Sequence, residues 1–362
     1  MSIDALTLEQ LGELRLIEEV ILPTARLYDM DTEAGDDCAY FEANGILAVT
    51  ADVGPKPLLH DLPGYAADLE AAGWMAVVAT ASDVATAGAT PLFLTNCIDA
   101  NPDLTVREFR QFLGGYFQAC TEFGFKNGGG DVRHGPKLIA RVFGVGVCRH
   151  GRRPGRRGMK PGDHLALIGP AGEFMATYLR ARHGDPGTVH EGRLLDAAAE
   201  VLRRPRPQLT SMQLLVGAGF VSAASDTSDG LIGALDNLCR SSGTGLRLTL
   251  NHAMLSPNVL AAGLARIVNP WNVFIAWGDW SVAVAIPGGS VESFTEFCET
   301  HRIKNCLLGM VTASRGMTAS VDGGPLKRVS MIRNENFIPQ GFNAGLAAHI
   351  AYILETPLFV EL

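Results

Sequence analysis

The sequence predicts a mixed α/β protein of two domains. The chain has 362 residues, more than the roughly 100–200 residues typical of one domain. Apolar segments with strand and helix patterns alternate along its whole length, which is typical of α/β folds. The basic stretch RHGRRPGRRGMK at 149–160 interrupts this alternation. We therefore expect one domain over residues 1–150 and a second over 151–362.

The N-terminal half begins with apolar residues at helical intervals, among them Leu14, Ile17 and Ile21. This spacing predicts an amphipathic helix that ends near Pro23. The segments that follow alternate between short apolar runs and longer alanine-rich or amphipathic ones. The expected elements are a helix within 6–28 that ends near Pro23, a strand over 46–51 that leads to Asp52, one or two helices over 66–87, a strand over 91–97, a helix over 106–123 and a strand over 138–147.

The C-terminal half repeats the α/β pattern. An apolar strand leads through the turn Gly169–Gly172 into a helix, and further strands and helices alternate after it. The expected strands are 163–168, 246–250, 282–286 and 306–311, and the expected helices are 173–182, 191–202 and 228–241.

Composition excludes several classes of protein. The 38 acidic and 30 basic residues give a net charge of −8, which disfavours nucleic-acid binding. The apolar runs are far shorter than the ~20 residues of a membrane span, and the first residues lack a secretory pattern. The seven cysteines are scattered and include no CxxC pair, which is typical of reduced thiols. These features predict a cytoplasmic protein.

A set of aspartates follows apolar strands or precedes helices, and these residues are the candidate metal ligands. They are Asp36, Asp37, Asp52, Asp83, Asp131, Asp226 and Asp229. If the fold brings them together, their like charges require divalent cations. Oxygen ligands favour Mg²⁺, which usually also binds substrate phosphates.

Each aspartate also has a purely structural interpretation. Asp83 and Asp229 precede apolar stretches and fit helix N-caps, whereas Asp36 and Asp37 fit a solvated turn. The run Gly128–Gly130 indicates either a close approach to a ligand or an ordinary loop. The chain has no P-loop, which excludes the ordinary ATP-binding loop, and no HExxH motif, which disfavours a zinc hydrolase.

The motifs, taken in order, resemble the thiamine-monophosphate kinase family of the aminoimidazole ribonucleotide (AIR) synthetase superfamily. They are Gly35-Asp36-Asp37, Thr50-Ala51-Asp52, Ser82-Asp83 with Gly88-Ala89-Thr90-Pro91, Gly129-Gly130-Asp131, Arg156 with Gly158-Met159-Lys160-Pro161-Gly162-Asp163, and Asp226-Thr227-Ser228-Asp229-Gly230. The resemblance implies an AIR-synthase-like fold, with N-terminal domains that pair into a dimeric, β-barrel-like core and a C-terminal α/β domain.

The resemblance also implies a function, which is transfer of the γ-phosphate of ATP to a small-molecule acceptor with the help of Mg²⁺. It assigns the seven aspartates to the metal and Asp226 and Asp229 to catalysis. It further implies nucleotide contacts, which are made by Gly129, Gly130, Arg156, Ser228 and Thr50. The implied partners are ATP, the acceptor and a second copy of the chain, with neither nucleic acid nor membrane.

One segment departs from the family pattern. Where those kinases have Gly-Gly-Glu-Asp-Tyr-Glu-Leu, this chain retains Asp279 but has Trp277 and Trp280, so the acceptor is left open. The two tryptophans are interpreted as core, with stacking on a ligand ring as the alternative. Two other functions also stay open. One is an ATP-dependent synthetase or dehydratase that phosphorylates a carboxamide oxygen, and the other is an inactive nucleotide-binding protein.

Overall fold

The fold is described from a computed structural model of the chain. The structure describes residues 13–16, 18–19, 39–42, 45–149, 151–184, 191–266, 268–335, 337 and 344–362. Of the helix expected within 6–28, the described residues are the turn α1 (Glu13–Leu16) and residues 18–19.

A five-stranded sheet forms the centre of the N-terminal half. Its strands are β1 (Ala39–Glu42), β2 (Ile46–Val53), β3 (Thr90–Ala100), β4 (Lys126–His134) and β5 (Ile139–Cys148). Their order is β1-β2-β5-β3-β4, and only β3 and β4 run parallel. The sheet is open, with β1 and β4 as its edges, so no closed barrel is found in the part of the chain that the structure describes. The predicted barrel-like core consists of two paired N-terminal domains, so it stays a prediction for the dimer.

Two helices, α2 (Leu69–Thr86) and α3 (Val106–Phe123), pack on one face of this sheet. The expected 66–87 segment is therefore a single helix. A Cβ atom at Gly115 would lie 1.9 Å from the carbonyl oxygen of Glu70, so the two helices touch where only glycine fits. Thr105 and Glu108 form a capping box that begins α3, and the predicted helix over 106–123 is confirmed.

An eight-stranded sheet forms the C-terminal half, in the order β13-β12-β11-β8-β10-β6-β9-β7. Its strands are β6 (His164–Ile168), β7 (Ala223–Asp226), β8 (Gly245–Leu250), β9 (Val282–Ile286), β10 (Asn305–Thr312), β11 (Gly316–Val321), β12 (Lys327–Val329) and β13 (Phe359–Val360). The helices of this half are α4 (Glu173–His183), α5 (Glu191–Arg203), α6 (Leu209–Ala218), α7 (Leu231–Ser242), α8 (Pro257–Arg266), α9 (Pro270–Phe274), α10 (Val291–His301) and α11 (Leu346–Glu355).

Direct contacts join the two halves. The buried indole N–H of Trp74 on α2 donates to the carbonyl oxygen of Pro205 at 2.8 Å. Nearby, the Arg203 guanidinium lies 2.9 Å from the Asp68 carboxylate. The helix α2 therefore packs against both halves. Near its end, the Ser82 hydroxyl donates to Asp226 on β7 of the C-terminal sheet. No helix among the described residues has the length and hydropathy needed to cross a bilayer.

Candidate active site

The last turn of α2 carries the candidate ligand Asp83. The hydroxyl of Thr50 on β2 donates a hydrogen bond to the Oδ2 atom of Asp83. Asp83 is not an N-cap, because α2 begins at Leu69 and its N-cap is Asp68, which accepts from the Ala71 N–H. The N-cap interpretation of Asp83 was therefore wrong. The contact connects β2 to the end of α2.

Asp52 lies two residues beyond Thr50 on β2. Alternate residues of a strand share a face and are about 6.6 Å apart, so Asp52 and Thr50 both face α2. The Val53 N–H donates to Asp52 Oδ1 at 2.7 Å. Burial raises the pKa of Asp52 to about 6, against this lowering hydrogen bond. Burial thus outweighs the stabilisation that the half-buried carboxylate receives from its hydrogen bond, and a nearby positive charge would favour its ionised form.

Asp226 ends β7 and connects the two halves. It is only 6 % exposed. Its Oδ2 accepts from the Ser82 hydroxyl of α2, and its Oδ1 accepts from the Ser228 hydroxyl, both at 3.1 Å. Ser82 directly precedes Asp83 in the chain. Its hydrogen bond to Asp226 therefore places Asp226 and Asp83 at neighbouring positions around the end of α2. Ser82 was missed as a site residue, although the Ser-Asp pair in the sequence was a signal for it.

Asp229 lies in the loop between β7 and α7 and is exposed. Asn334 Nδ2 is 3.4 Å from Asp229 Oδ1, and the Asn334 N–H donates to the Asp229 carbonyl at 3.2 Å. The N-cap of α7 is Gly230, and no side chain caps it. The N-cap interpretation of Asp229 was thus also wrong. No sequence pattern pointed to Asn334, which comes from a distant segment.

Gly129 and Gly130 lie in β4, an exposed edge strand, and not in a loop. A Cβ atom at Gly130 would be 2.3 Å from Asn96 Oδ1 on the neighbouring strand β3. At least one glycine of the run is therefore required by contact within the sheet. Gly129 has a φ of +84° and open space around it, which leaves its backbone free to approach a ligand.

Asp131 on β4 is not brought to the other aspartates within one chain. Gly130 lies in the same cross-sheet row as Asp52, with β5 and β3 between them, a separation of about 14 Å at the usual strand spacing. Asp131 follows Gly130 and so points to the opposite face. Its exposed carboxylate is 2.6 Å from Arg133 Nε.

The remaining candidates lie at the margin of the described site. The carbonyl of Gly155, next to Arg156, accepts from Ala224 N on β7 at 3.0 Å. The backbone of the half-buried Arg156 therefore lies close to the strand that carries Asp226. Asp36 and Asp37 lie outside the described residues.

The segment that departs from the family pattern lies beside this site. Asp279 is buried and its Oδ1 accepts from Phe174 N at 2.9 Å, which anchors the start of α4. Burial raises the pKa of Asp279 to about 6. Trp280 is buried in the N-terminal core, so its interpretation as core is confirmed. Trp277 is half-buried, stacks on His349 and donates to His349 Nε2 at 3.1 Å.

The donor set decides which metal these residues fit. Within the described residues, no three His, Cys, Asp or Glu side chains form a group that could hold a metal ion. A closed cage of protein ligands is therefore not what this part of the chain offers. Mg²⁺ is usually held by one or two carboxylates together with waters and substrate phosphates, and the desolvated Asp52 and the nearby Asp83 fit that mode.

Comparison with known proteins finds a family model over most of the chain and relatives named thiamine-monophosphate kinase. Residues 35–148 match the family model for the AIR synthase related protein, N-terminal domain, and residues 160–322 match its C-terminal domain. Thiamine-monophosphate kinase of Salmonella typhimurium is 30 % identical over 66 % of this chain and 72 % of the relative. The enzyme of Methanospirillum hungatei is 26 % identical over 81 % and 91 %. A solved structure described as AaThiL complexed with AMPPCP and TMP superposes with a TM-score of 0.73 at 24 % identity, over 92 % of this chain and 99 % of the other.

Proposed function

We propose that this chain, which belongs to the AIR synthase related protein family, is an ATP-dependent kinase that phosphorylates a small molecule. The relatives that carry the name thiamine-monophosphate kinase support this activity. Thiamine monophosphate is accordingly the first acceptor to test. The division into domains 1–150 and 151–362 is part of the same proposal.

One observation carries the proposal. The hydroxyl of Ser82 in the N-terminal half donates to the buried Asp226 of the C-terminal half, and the adjacent Asp83 accepts from Thr50 on β2. Carboxylates from both halves are thereby fixed at one place by hydroxyl groups. Phosphoryl transfer needs mainly positioning and neutralisation of charge, and a rigid set of carboxylates at the junction of the two halves supplies the first of these.

Mg²⁺ is the metal that we propose for this site, held by Asp52 and Asp83, with Asp226 and Asp229 beside it. The bound ion supplies the positive charge that neutralises the phosphate oxygens. Asp226 is held in one orientation by Ser82 and Ser228. We assign the exposed Asp229 to the acceptor side, with its backbone held by Asn334.

The family residues Gly129, Gly130 and Arg156 remain proposals for nucleotide contact, and Asp131 remains a proposal for the metal. The open backbone at Gly129 supports a close approach to a phosphate. The contribution of these residues is tested separately from that of the aspartates, because β4 is an edge strand and two strands, β5 and β3, separate it from β2. An effect of Gly129→Val on the KM for ATP would support the assignment, and an unchanged KM would contradict it.

The decisive assay follows the γ-phosphate of labelled ATP. A kinase leaves the label on the acceptor, whereas a synthetase or dehydratase releases it as inorganic phosphate. Asp226→Asn is expected to reduce kcat at least 100-fold, because the carboxylate is fixed at the reacting site. Asp163→Asn is the matched control: Asp163 is 8 % exposed and its Oδ2 also accepts two hydrogen bonds, from Lys160 N and Ser222 Oγ, but it lies outside the site. Equal losses in both variants would contradict the assignment.

We further propose that two copies of the chain pair through the N-terminal sheet. The face opposite α2 and α3 exposes Val53 by 51 %, Phe93 by 40 % and Phe143 by 44 %. These residues lie on adjacent strands β2, β3 and β5 and share the uncovered face. A contiguous exposed apolar surface is typical of an interface between proteins.

Light scattering after size exclusion tests this pairing. Phe143→Asp is expected to convert the dimer to a monomer, because it buries a charge in an apolar interface. Met310→Asp on β10 is the matched control, since Met310 is also 44 % exposed on a strand but belongs to the other sheet. A monomeric parent protein, or a Phe143→Asp variant that stays dimeric, would refute the pairing.

A further inference from the structure

A cavity lies in the C-terminal half, and none of the candidate aspartates that the structure describes lines it. It occupies about 720 Å³ between the end of α7 and the strands β11 and β12. Met317, Val329 and Met331 form its apolar side. Small-molecule sites are usually concave, largely apolar and 300–1,000 Å³ in volume, so this cavity has the size of a ligand site.

A buried polar group lines the same cavity. Thr244 is 7 % exposed, and its hydroxyl has no hydrogen-bond partner among the residues that the structure describes. A buried hydroxyl without a partner costs about 1–3 kcal/mol. The hydroxyl oxygen itself has almost no accessible surface, so Thr244 contributes to the wall of the cavity and not to contacts with a ligand.

The charges around the cavity are unbalanced. Arg240 pairs with Glu18, and Asp236 pairs with Arg333 at 2.6 Å, so both acidic residues that line the cavity are neutralised. Arg240 also offsets the partial negative charge at the C-terminus of α7. Two further lining residues, Arg315 and Arg328, form no ion pair with any described residue.

We infer that this cavity binds an organic phosphate monoester, with its phosphate on Arg315 and Arg328 and its apolar body on the methionine-lined wall. Two guanidinium groups match the dianionic charge of a phosphate monoester, and their planar donors suit its oxygens. The site is separate from the proposed kinase site, because none of the candidate aspartates within the described residues lines the cavity. Its lining on α7 begins at Asp236, about 8 Å along the helix from Leu231, the first residue after the Asp229 loop.

Isothermal titration of the full chain with phenyl phosphate tests the inference. Arg315→Ala and Arg328→Ala are each expected to weaken binding about tenfold or more, because each removes a charged hydrogen-bond donor. Arg107→Ala, which removes an exposed arginine on α3, is the matched control and should leave the affinity unchanged. Thr244→Val should raise the melting temperature of the ligand-free protein, since it removes the unpartnered buried hydroxyl.

The variant Asp226→Asn distinguishes binding in the cavity from binding at the proposed kinase site. Because Asp226 does not line the cavity, this variant should leave the affinity for phenyl phosphate unchanged, whether or not the kinase proposal holds. Phenol that binds as tightly as phenyl phosphate would overturn the anionic assignment. A parent protein that takes up no phenyl phosphate at millimolar concentration would overturn the site itself. Unaltered affinity in the double variant of Arg315 and Arg328 would do the same.

Discussion

Replacement of Asp52 by asparagine is expected to stabilise the protein while it removes the kinase activity. Burial raises the pKa of Asp52 from 3.8 to about 6, so ionising this side chain costs more in the folded protein than in the unfolded chain. A difference of two pKa units corresponds to about 3 kcal/mol. The amide of the Asp52→Asn variant would keep the acceptor for the Val53 N–H without the desolvated charge. At pH 7.5 the variant should therefore gain up to about 3 kcal/mol.

The sign of the pH dependence makes the prediction specific. The folded pKa is higher than the unfolded one, so the folded state binds the proton more tightly between pH 4 and pH 6. The destabilisation caused by Asp52 therefore grows as the pH rises through this window. The advantage of the variant should be small near pH 4, about 1.6 kcal/mol at pH 5, and largest above pH 7.

Thermal and urea unfolding of the metal-free protein measure this difference. For a chain of 362 residues, 3 kcal/mol corresponds to about 4 °C in melting temperature. Asp103→Asn is the control, because Asp103 lies in an exposed turn and should change stability by less than about 0.5 kcal/mol. A gain at pH 7.5 that persists at pH 4, or no gain at all, would refute the reasoning about desolvation.

Three further predictions concern the fold around the site. Gly115→Ala should lower the free energy of unfolding by about 1–3 kcal/mol or more, because its Cβ atom would lie 1.9 Å from the Glu70 carbonyl oxygen. Gly114→Ala in the same helix has open space and should raise the free energy of unfolding by about 0.5–1 kcal/mol. Urea unfolding measures both changes. Trp74→Phe should cost about 1–3 kcal/mol, since it leaves the accepting backbone carbonyl of the C-terminal half without its buried N–H donor; an unchanged urea midpoint would contradict this. The Asp279 carboxyl should titrate near pH 6, seen as an infrared band of protonated carboxyl that grows below this pH and is missing in Asp279→Asn.

The apolar elements could be predicted from the sequence, whereas the edge strand β4 could not. The strand β2 and the helix α3 have continuous apolar runs or capping signals of their own. All nine residues of β4 (Lys126–His134) are exposed and three of them are glycine, so no hydrophobic pattern marks this strand. It forms because β3 offers an unpaired edge, and a residue-by-residue pattern does not contain that information.

The candidate site was predicted only in part for a similar reason. The motif order identified Asp52, Asp83 and Asp226, and the structure connects their segments through Thr50 and Ser82. Local preference suggested that Asp83 caps a helix, but the helix begins 14 residues earlier. The partners Ser82 and Asn334 gain their roles through contacts between distant segments, which local sequence preferences do not encode.

The placement of the aspartates argues for function against stability. Asp83 lies in the last turn of α2, where the partial negative charge of the helix end disfavours a carboxylate. Asp52 is desolvated, as its raised pKa indicates, and Asp226 is almost fully buried. Each of these positions is unfavourable for an anion when considered alone. A bound cation would compensate the charge of the desolvated Asp52, and carboxylates with a pKa perturbed by burial cluster at functional sites.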